Sequence, residues 1–140
     1  GGVIALDPGE KRTGFAVADA LRITTEPLDV YQGGLDGEGL YEHLERLMDE
    51  RTIATLVVGC PYNMDGTEGP AAERVKRFAG KLRERFVGVR VVLQDERLTT
   101  KEAEEMLREA GHHGDARKAR RDSWSALVIL KDWIAAGEPE

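Results

Sequence analysis

The apolar positions of the chain alternate between two periods, one for strands and one for helices. Val3 to Asp7 (VIALD) is a short apolar run ending on an acid, the pattern of a buried strand. A turn-rich stretch, Pro8 to Thr13, separates it from a second apolar run, Gly14 to Asp19, and the two predict a hairpin with a longer loop. Ile23 to Tyr31 is a weaker, partly alternating third strand, which Pro27 confines to an edge. Leu40, Leu44, Leu47 and Met48 then fall at i, i+4, i+7 and i+8, one face of a helix. Ala54 to Val58 (ATLVV) is continuously apolar, as a central strand covered on both faces must be. Pro70 suits the first turn of a helix whose stripe is Val75, Phe78, Ala79, Leu82 and Phe86. Val89 to Leu93 is another buried strand. Thr99 with Glu102 matches a capping box opening a short helix through Ala110. A basic loop containing His112 and His113 leads to a last helix, from about Arg120 to Ala136.

Three strands that can pair by hairpins, followed by strands alternating with helices, predict an α/β fold. Its sheet is mixed, with helices on both faces and an antiparallel part at one side. There is no internal repeat, and 140 residues suit a single domain spanning 1–140.

Composition narrows the function classes. No apolar run reaches the roughly 18 residues of a membrane helix, and no basic-then-apolar leader opens the chain. The single cysteine, Cys60, excludes an intramolecular disulfide framework and a cysteine-rich zinc site, so a reduced, cytoplasmic setting is expected. The net charge of −6 argues against non-specific coating of DNA. That charge is unevenly spread, however. Arg108 to Arg121 holds five Arg/Lys against two Asp/Glu, which leaves a nucleic-acid partner open.

The informative residues are carboxylates where the pattern predicts burial. Asp7 shares a strand face with Val3 and Ala5. Asp95 and Glu96 end an apolar strand, and a period of two does not say which of them points inward. Asp122 stands one and two turns before Ala126 and Ile129/Leu130 on a helix that is apolar nearly all round. Each acid alone has an ordinary explanation: a turn cap for Asp7, an ion pair with Arg97 for Glu96, a helix cap or arginine partner for Asp122. Together they form a different pattern. A buried carboxylate costs several kcal/mol unless it is paired or holds a metal. Three acids converging at one sheet edge match the oxygen donors that Mg²⁺ or Mn²⁺ prefers. The loop Pro8 to Gly14 adds Lys11 and Arg12 beside Asp7, and it reads equally as a phosphate cradle or a plain hairpin loop.

Three blocks carry a resemblance: LDPGEKRTGFAVAD from Leu6, VVGCPYNMDGTEGPAAERVKRFAGKL from Val57, and DERLTTKEAEEML from Asp95. With RRDSWSALVIL from Arg120, they resemble the YqgF/RuvX family of RNase H-fold Holliday junction resolvases, also described as pre-16S rRNA nucleases. The likeness runs from the first strand to about residue 135. It implies an RNase H-like three-layer α/β/α fold with a five-stranded mixed sheet and a cytoplasmic nuclease. It also implies an acidic triad at Asp7, Glu96 and Asp122, with the role of Asp95 open. Pro8 departs from the family pattern, which commonly has an aromatic there, and Ser125 stands where Ala is usual. The fourth strand carries no acid before Gly59-Cys60-Pro61, unlike the related RuvC resolvases, so the second carboxylate is expected from Glu96.

On this reading Asp7 bridges two divalent ions, Mg²⁺ or Mn²⁺, while Glu96 and Asp122 each complete one coordination sphere. Lys11, Arg12 and Arg97 hold the scissile or flanking phosphates. A strip of Arg117, Lys118, Arg120 and Arg121 tracks the backbone of the nucleic acid. Two substrates compete, the 5′ end of pre-16S rRNA (with the small-subunit precursor as partner) and a branched DNA junction. Junction cleavage calls for a homodimer with two sites, whereas the sequence shows no clear dimer face and also fits a monomer. A non-catalytic nucleic-acid-binding module and a two-domain type of phosphotransferase are the alternatives of other classes, and length counts against the second. His112-His113 beside Asp115 reads as a solvated loop, Cys60 as a small core filler, and Trp124 and Trp133 as core residues. The loop from Tyr62 to Glu68 lies where α/β sites often form, and Tyr62 or Asn63 can serve there for substrate contact or turn chemistry alike.

Overall fold

The computed structural model describes residues 1–96, residue 105 and residues 114–140, and for 114–122 the backbone alone. Strands β1 (Gly2–Pro8), β2 (Thr13–Ala18) and β3 (Thr25–Pro27) come first. They are followed by helix α1 (Glu38–Asp49), strand β4 (Ile53–Cys60), helix α2 (Pro70–Arg85), strand β5 (Arg90–Asp95) and helix α3 (Gly114–Ala135). The five strands form one sheet in the order β3-β2-β1-β4-β5. β1 runs antiparallel to β2 and parallel to β4, and β4 runs parallel to β5. This is the RNase H-like mixed sheet that the resemblance implies.

Strand alternation divides the interior into two cores. Ile4, Leu6, Phe15, Leu56 and Val58 face one way, onto Leu40 and Leu44 of α1 and Val75, Phe78 and Leu82 of α2. Their neighbours Val3, Ala5, Ala16, Ala18 and Val57 face the other way, under Ala126, Ile129, Leu130 and Trp133 of α3. Small alanines on this second face let α3 lie close to the sheet, and the fully buried Trp133 fills the space left. Burying one large aliphatic side chain such as Ile129 or Leu130 contributes about 1.5–3 kcal/mol. Trp133 also donates its indole N–H to the Pro139 carbonyl at 2.9 Å, so burial leaves that donor satisfied.

Several boundaries differ from the sequence pattern. The third strand shrinks to Thr25–Pro27 at the sheet edge, with one further bridge between Thr13 and Tyr31. Pro27 has no N–H to give the ladder; beyond it the Leu28 N–H still donates to the Phe15 carbonyl at 2.8 Å, while the Leu28 carbonyl accepts from the Ser123 hydroxyl of α3. The last helix starts at Gly114, so Arg117 and Lys118 are helical rather than in a loop. Ala116, Arg117, Lys118 and Ala119 are strong helix formers without an apolar stripe, which is why periodicity alone begins the helix later. Of the helix expected from Thr99 to Ala110, Glu105 alone is among the described residues, and it is helical. Leu40 and Leu44 are fully buried, and Leu47 and Met48 pack against the same core, so this face of α1 is not available to a second copy. Among the described residues no helix is long and apolar enough to cross a membrane.

Candidate active site

The carboxyl ends of β1, β4 and β5 lie side by side because these strands are parallel and adjacent. Asp7 follows Val3 and Ala5 on the face of β1 covered by α3. Leu6 pairs with Val58, which brings Asp7 level with Gly59 on β4. On β5, Val92 belongs to the α3 core, and counting on by twos places Gln94 and then Glu96 on that same face. Asp95 points the other way and is exposed, whereas Glu96 is partly buried. The sheet thus settles which of the adjacent acids turns inward.

β1 and β5 are not neighbours, since β4 lies between them. Their acids nevertheless meet, and the Asp7 and Glu96 carboxyls share a hydrogen bond. Gly59 makes the meeting possible. A Cβ there would stand 2.7 Å from Glu96 Oε2 and 2.5 Å from Ile129 Cδ1, so the Glu96 carboxyl occupies the space that a side chain on β4 would need. The backbone N–H of Glu96 donates to the Cys60 carbonyl at 3.2 Å, fixing the turn out of β5. The acid that meets Asp7 is thus carried at the end of β5, and β4 contributes a glycine at this level.

Burial pushes the Glu96 carboxyl above its usual range; the hydrogen bond with Asp7 offsets part of this, and the nearby charge of Asp95 adds to it. Two carboxyls in one hydrogen bond must hold a proton between them or exchange it for a cation. The donor set suits a hard divalent ion: oxygen ligands only, Glu96 without a cationic partner among the described residues, and a protonated state that an ion can displace. Among the described residues no group of three potential ligands is gathered. The third expected acid, Asp122, is on α3 two turns before Ile129, and its side chain is outside the described residues.

Glu96 also lines a cleft of 550 Å³ on the other side of the strand ends. Pro8, Gly9 and Glu10 of the β1–β2 loop form one lip with Leu35 and Asp36, and Pro61 lies at the exit of β4. Arg74, Arg77 and Lys81 of α2 line the cleft as well. Asp7 is not part of this lining. Of the expected phosphate contacts, Lys11 is exposed on the β1–β2 loop and Arg12 is half-buried there. A Cβ on Gly9 would meet the Arg12 carbonyl oxygen at 2.5 Å, so the bareness of Gly9 serves the turn itself, as the plain hairpin reading has it. Arg97 lies outside the described residues, as do His112 and His113. Arg117, Lys118, Arg120 and Arg121 are in the first half of α3, with their side chains outside the described set.

Cys60 is fully buried among the core residues, and burial raises its thiol, partly offset by a hydrogen bond with Tyr62. Trp124 packs against the α3 core. The loop after β4 is folded on itself: Asn63 Nδ2 donates to Thr67 Oγ1 at 2.9 Å, and Thr67 N donates to Asp65 Oδ1 at 2.9 Å. Gly59 and the α2 cations escaped the sequence reading. For the cations a signal was present, because positions 74, 77 and 81 fall on one helical face.

Residues 1–136 match a protein family, RuvX, described as Holliday junction resolvase. A protein of Sodalis glossinidius called "Putative pre-16S rRNA nuclease" is 40% identical over 134 residues, covering 96% of this chain and 94% of that protein. A protein of the same name from Halalkalibacterium halodurans is 39% identical over 132 residues, 94% of each chain. Among solved structures, RuvC of T. thermophilus in complex with a Holliday junction substrate superposes with a TM-score of 0.58 at 15% identity, covering 98% of this chain and 96% of that one. The fowlpox virus resolvase bound to Holliday junction DNA gives 0.61 at 9% identity, covering 99% and 100%. At such identities these structures establish a common fold.

Proposed function

The chain belongs to the RuvX family, and on that premise we propose that it is a divalent-metal-dependent nuclease that processes the 5′ end of pre-16S rRNA in the cytoplasm. The observation that carries the reading is the meeting of Asp7 and Glu96 across Gly59. Two acids from non-adjacent strands are held together at a cost in burial that their hydrogen bond only partly offsets, and that cost is recovered when a cation replaces their shared proton.

Asp7 and Glu96, with Asp122 from α3, are the residues proposed to hold the metal. Bound Mg²⁺ or Mn²⁺ supplies Lewis acidity, which activates water and screens the charge gathering on the phosphate. The chain's own contribution is positional. β1 and β5 bring the two carboxyls to one face, and the Glu96 N–H bond to the Cys60 carbonyl anchors the backbone from which that acid projects. Lys11 and Arg12 on the β1–β2 loop stand beside Asp7 in sequence and serve as charge partners for phosphates. The strip from Arg117 to Arg121, with Arg97, supplies further phosphate contacts. The names of the curated relatives favour RNA, and so does the use of the α1 stripe within the chain's own core. Paired cuts in a junction need two sites related by symmetry.

The test offers the purified protein a labelled rRNA precursor, single strands and a four-way DNA junction, each with Mg²⁺, Mn²⁺ or chelator. Metal-dependent cleavage of the precursor at its 5′ end is expected. Asp7→Asn, Glu96→Gln and Asp122→Asn each lose it while remaining folded. A variant that keeps near wild-type rate with Mn²⁺ removes its residue from the ligand set. Tight binding without cleavage under any condition leaves a non-catalytic binding module.

A further inference from the structure

We propose that Arg74, Arg77 and Lys81 of α2 form a second phosphate-binding rail, which holds the nucleic-acid backbone flanking the cleaved bond. This rests on the nuclease reading above and extends it to a surface outside the acid pair. The three cations stand at i, i+3 and i+7, one face of the helix, and span roughly 10 Å at 1.5 Å per residue. All three are exposed and line the cleft that Glu96 also lines. With one phosphate per about 3.4 Å of duplex axis on each strand, that length is enough to meet more than one phosphate.

The other cations of α2 have partners. Lys76 pairs with Glu68, Arg85 pairs with Glu38 and Glu45, and Arg83 donates to the Val91 carbonyl at 3.1 Å. Arg77 and Lys81 have no such partner among the described residues. Among the described residues Arg74 reaches only Glu10, at 3.6 Å across the mouth of the cleft, and both groups are exposed, so the pairing is weak and yields to a phosphate. The cleft therefore carries both signs of charge. Glu10, Asp36 and Glu96 lie toward the strand ends, and the three cations stand along α2. A polyanion alone would avoid the acids. One whose reacting phosphate meets a metal-loaded Glu96 can lay its next phosphates along the cations. The rail grips backbone phosphate, so it carries affinity without sequence choice and serves RNA and DNA alike.

The experiment measures fluorescence anisotropy of a labelled structured RNA and a labelled four-way DNA junction across a salt series, with chelator and with Ca²⁺, alongside cleavage kinetics with Mn²⁺. The triple variant Arg74→Ala/Arg77→Ala/Lys81→Ala is expected to bind at least ten-fold more weakly. Its plot of log affinity against log salt should flatten by about 2–3, at roughly 0.7–0.9 for each phosphate no longer neutralised. KM should rise while kcat stays within a few-fold. Arg46→Ala, an exposed cation on α1, should bind as wild type. Alanine favours the helix at all three sites, and the single charge reversal Arg77→Glu gives a second, milder readout. A folded triple variant with wild-type affinity and salt slope overturns the rail and leaves the nuclease reading intact. A wild-type protein that binds neither probe and cleaves neither overturns the nuclease reading, and the rail with it.

Discussion

Glu96 Oε2 lies 2.7 Å from where a Cβ on Gly59 would be, so a strand-end carboxyl fills the place of a missing side chain on the strand between its own and that of Asp7. Ile129 Cδ1 presses on the same point at 2.5 Å. Both neighbours are the tips of flexible side chains, and this decides how a substitution behaves. In Gly59→Ala the tips move aside, so stability changes by no more than about 1 kcal/mol. The acid pair is displaced, and cleavage should fall at least ten-fold. Denaturant midpoints beside metal-dependent cleavage rates check this; an active Gly59→Ala enzyme would mean that Glu96 needs no fixed place.

The shared proton of Asp7 and Glu96 sets the response to metal and pH. Burial raises the folded Glu96 carboxyl above its value of 4.5 in the unfolded chain. The folded state therefore binds more protons than the unfolded one between these values, and the metal-free protein loses this contribution as pH rises through that window. A cation in place of the proton restores it. Mn²⁺ should raise the melting temperature more at about pH 8 than at about pH 5, with chelator reversing the gain, and Glu96→Gln should remove the difference.

His43 gives the opposite slope. Its ring packs between Phe15 and Tyr31, at centroid distances of 5.0 and 5.3 Å, with Nε2 buried and unpaired. Burial lowers its pKa below the ordinary 6.5; Arg46 lowers it further and Asp29 opposes. Here the unfolded chain binds more protons, so stability is lost as pH falls from about 6.5 toward the folded value. His43→Phe should flatten that part of the melting curve against pH. An unchanged slope would assign it to another group.

Arg22 ties the β2–β3 turn to both ends of the described chain. It adopts φ 59, donates to the carbonyls of Gly1, Asp19 and Ala20, and pairs with Glu138 at 2.8 Å. Arg22→Ala should cost about 1 kcal/mol in a urea titration. Arg22→Lys should recover little of it, because an ammonium cannot form the guanidinium's two bonds to one carboxylate.

Much of this was legible in the residues. VIALD and ATLVV read as buried strands because nothing polar interrupts them, and Asp7 stood out because it continued a core face. The choice between Asp95 and Glu96 was not legible, because the pairing register of β5 with β4 fixes it. In the sequence Gly59 marks only the turn Gly59-Cys60-Pro61 that ends the fourth strand. Its meaning arises only when a strand distant in sequence lies beside it. The start of α3 was hidden because helix formers without an apolar stripe leave no periodic trace.

The placement of β4 between the two acid-bearing strands bears on the birth of the molecule. While the polypeptide emerges from the ribosome, its opening hairpin can form early, yet Asp7 has no counterpart until β5 has been synthesised and has docked beyond β4. A nascent fragment that stops short of β5 therefore lacks the acid pair, and a centre built on Asp7 and Glu96 forms only after that strand has docked.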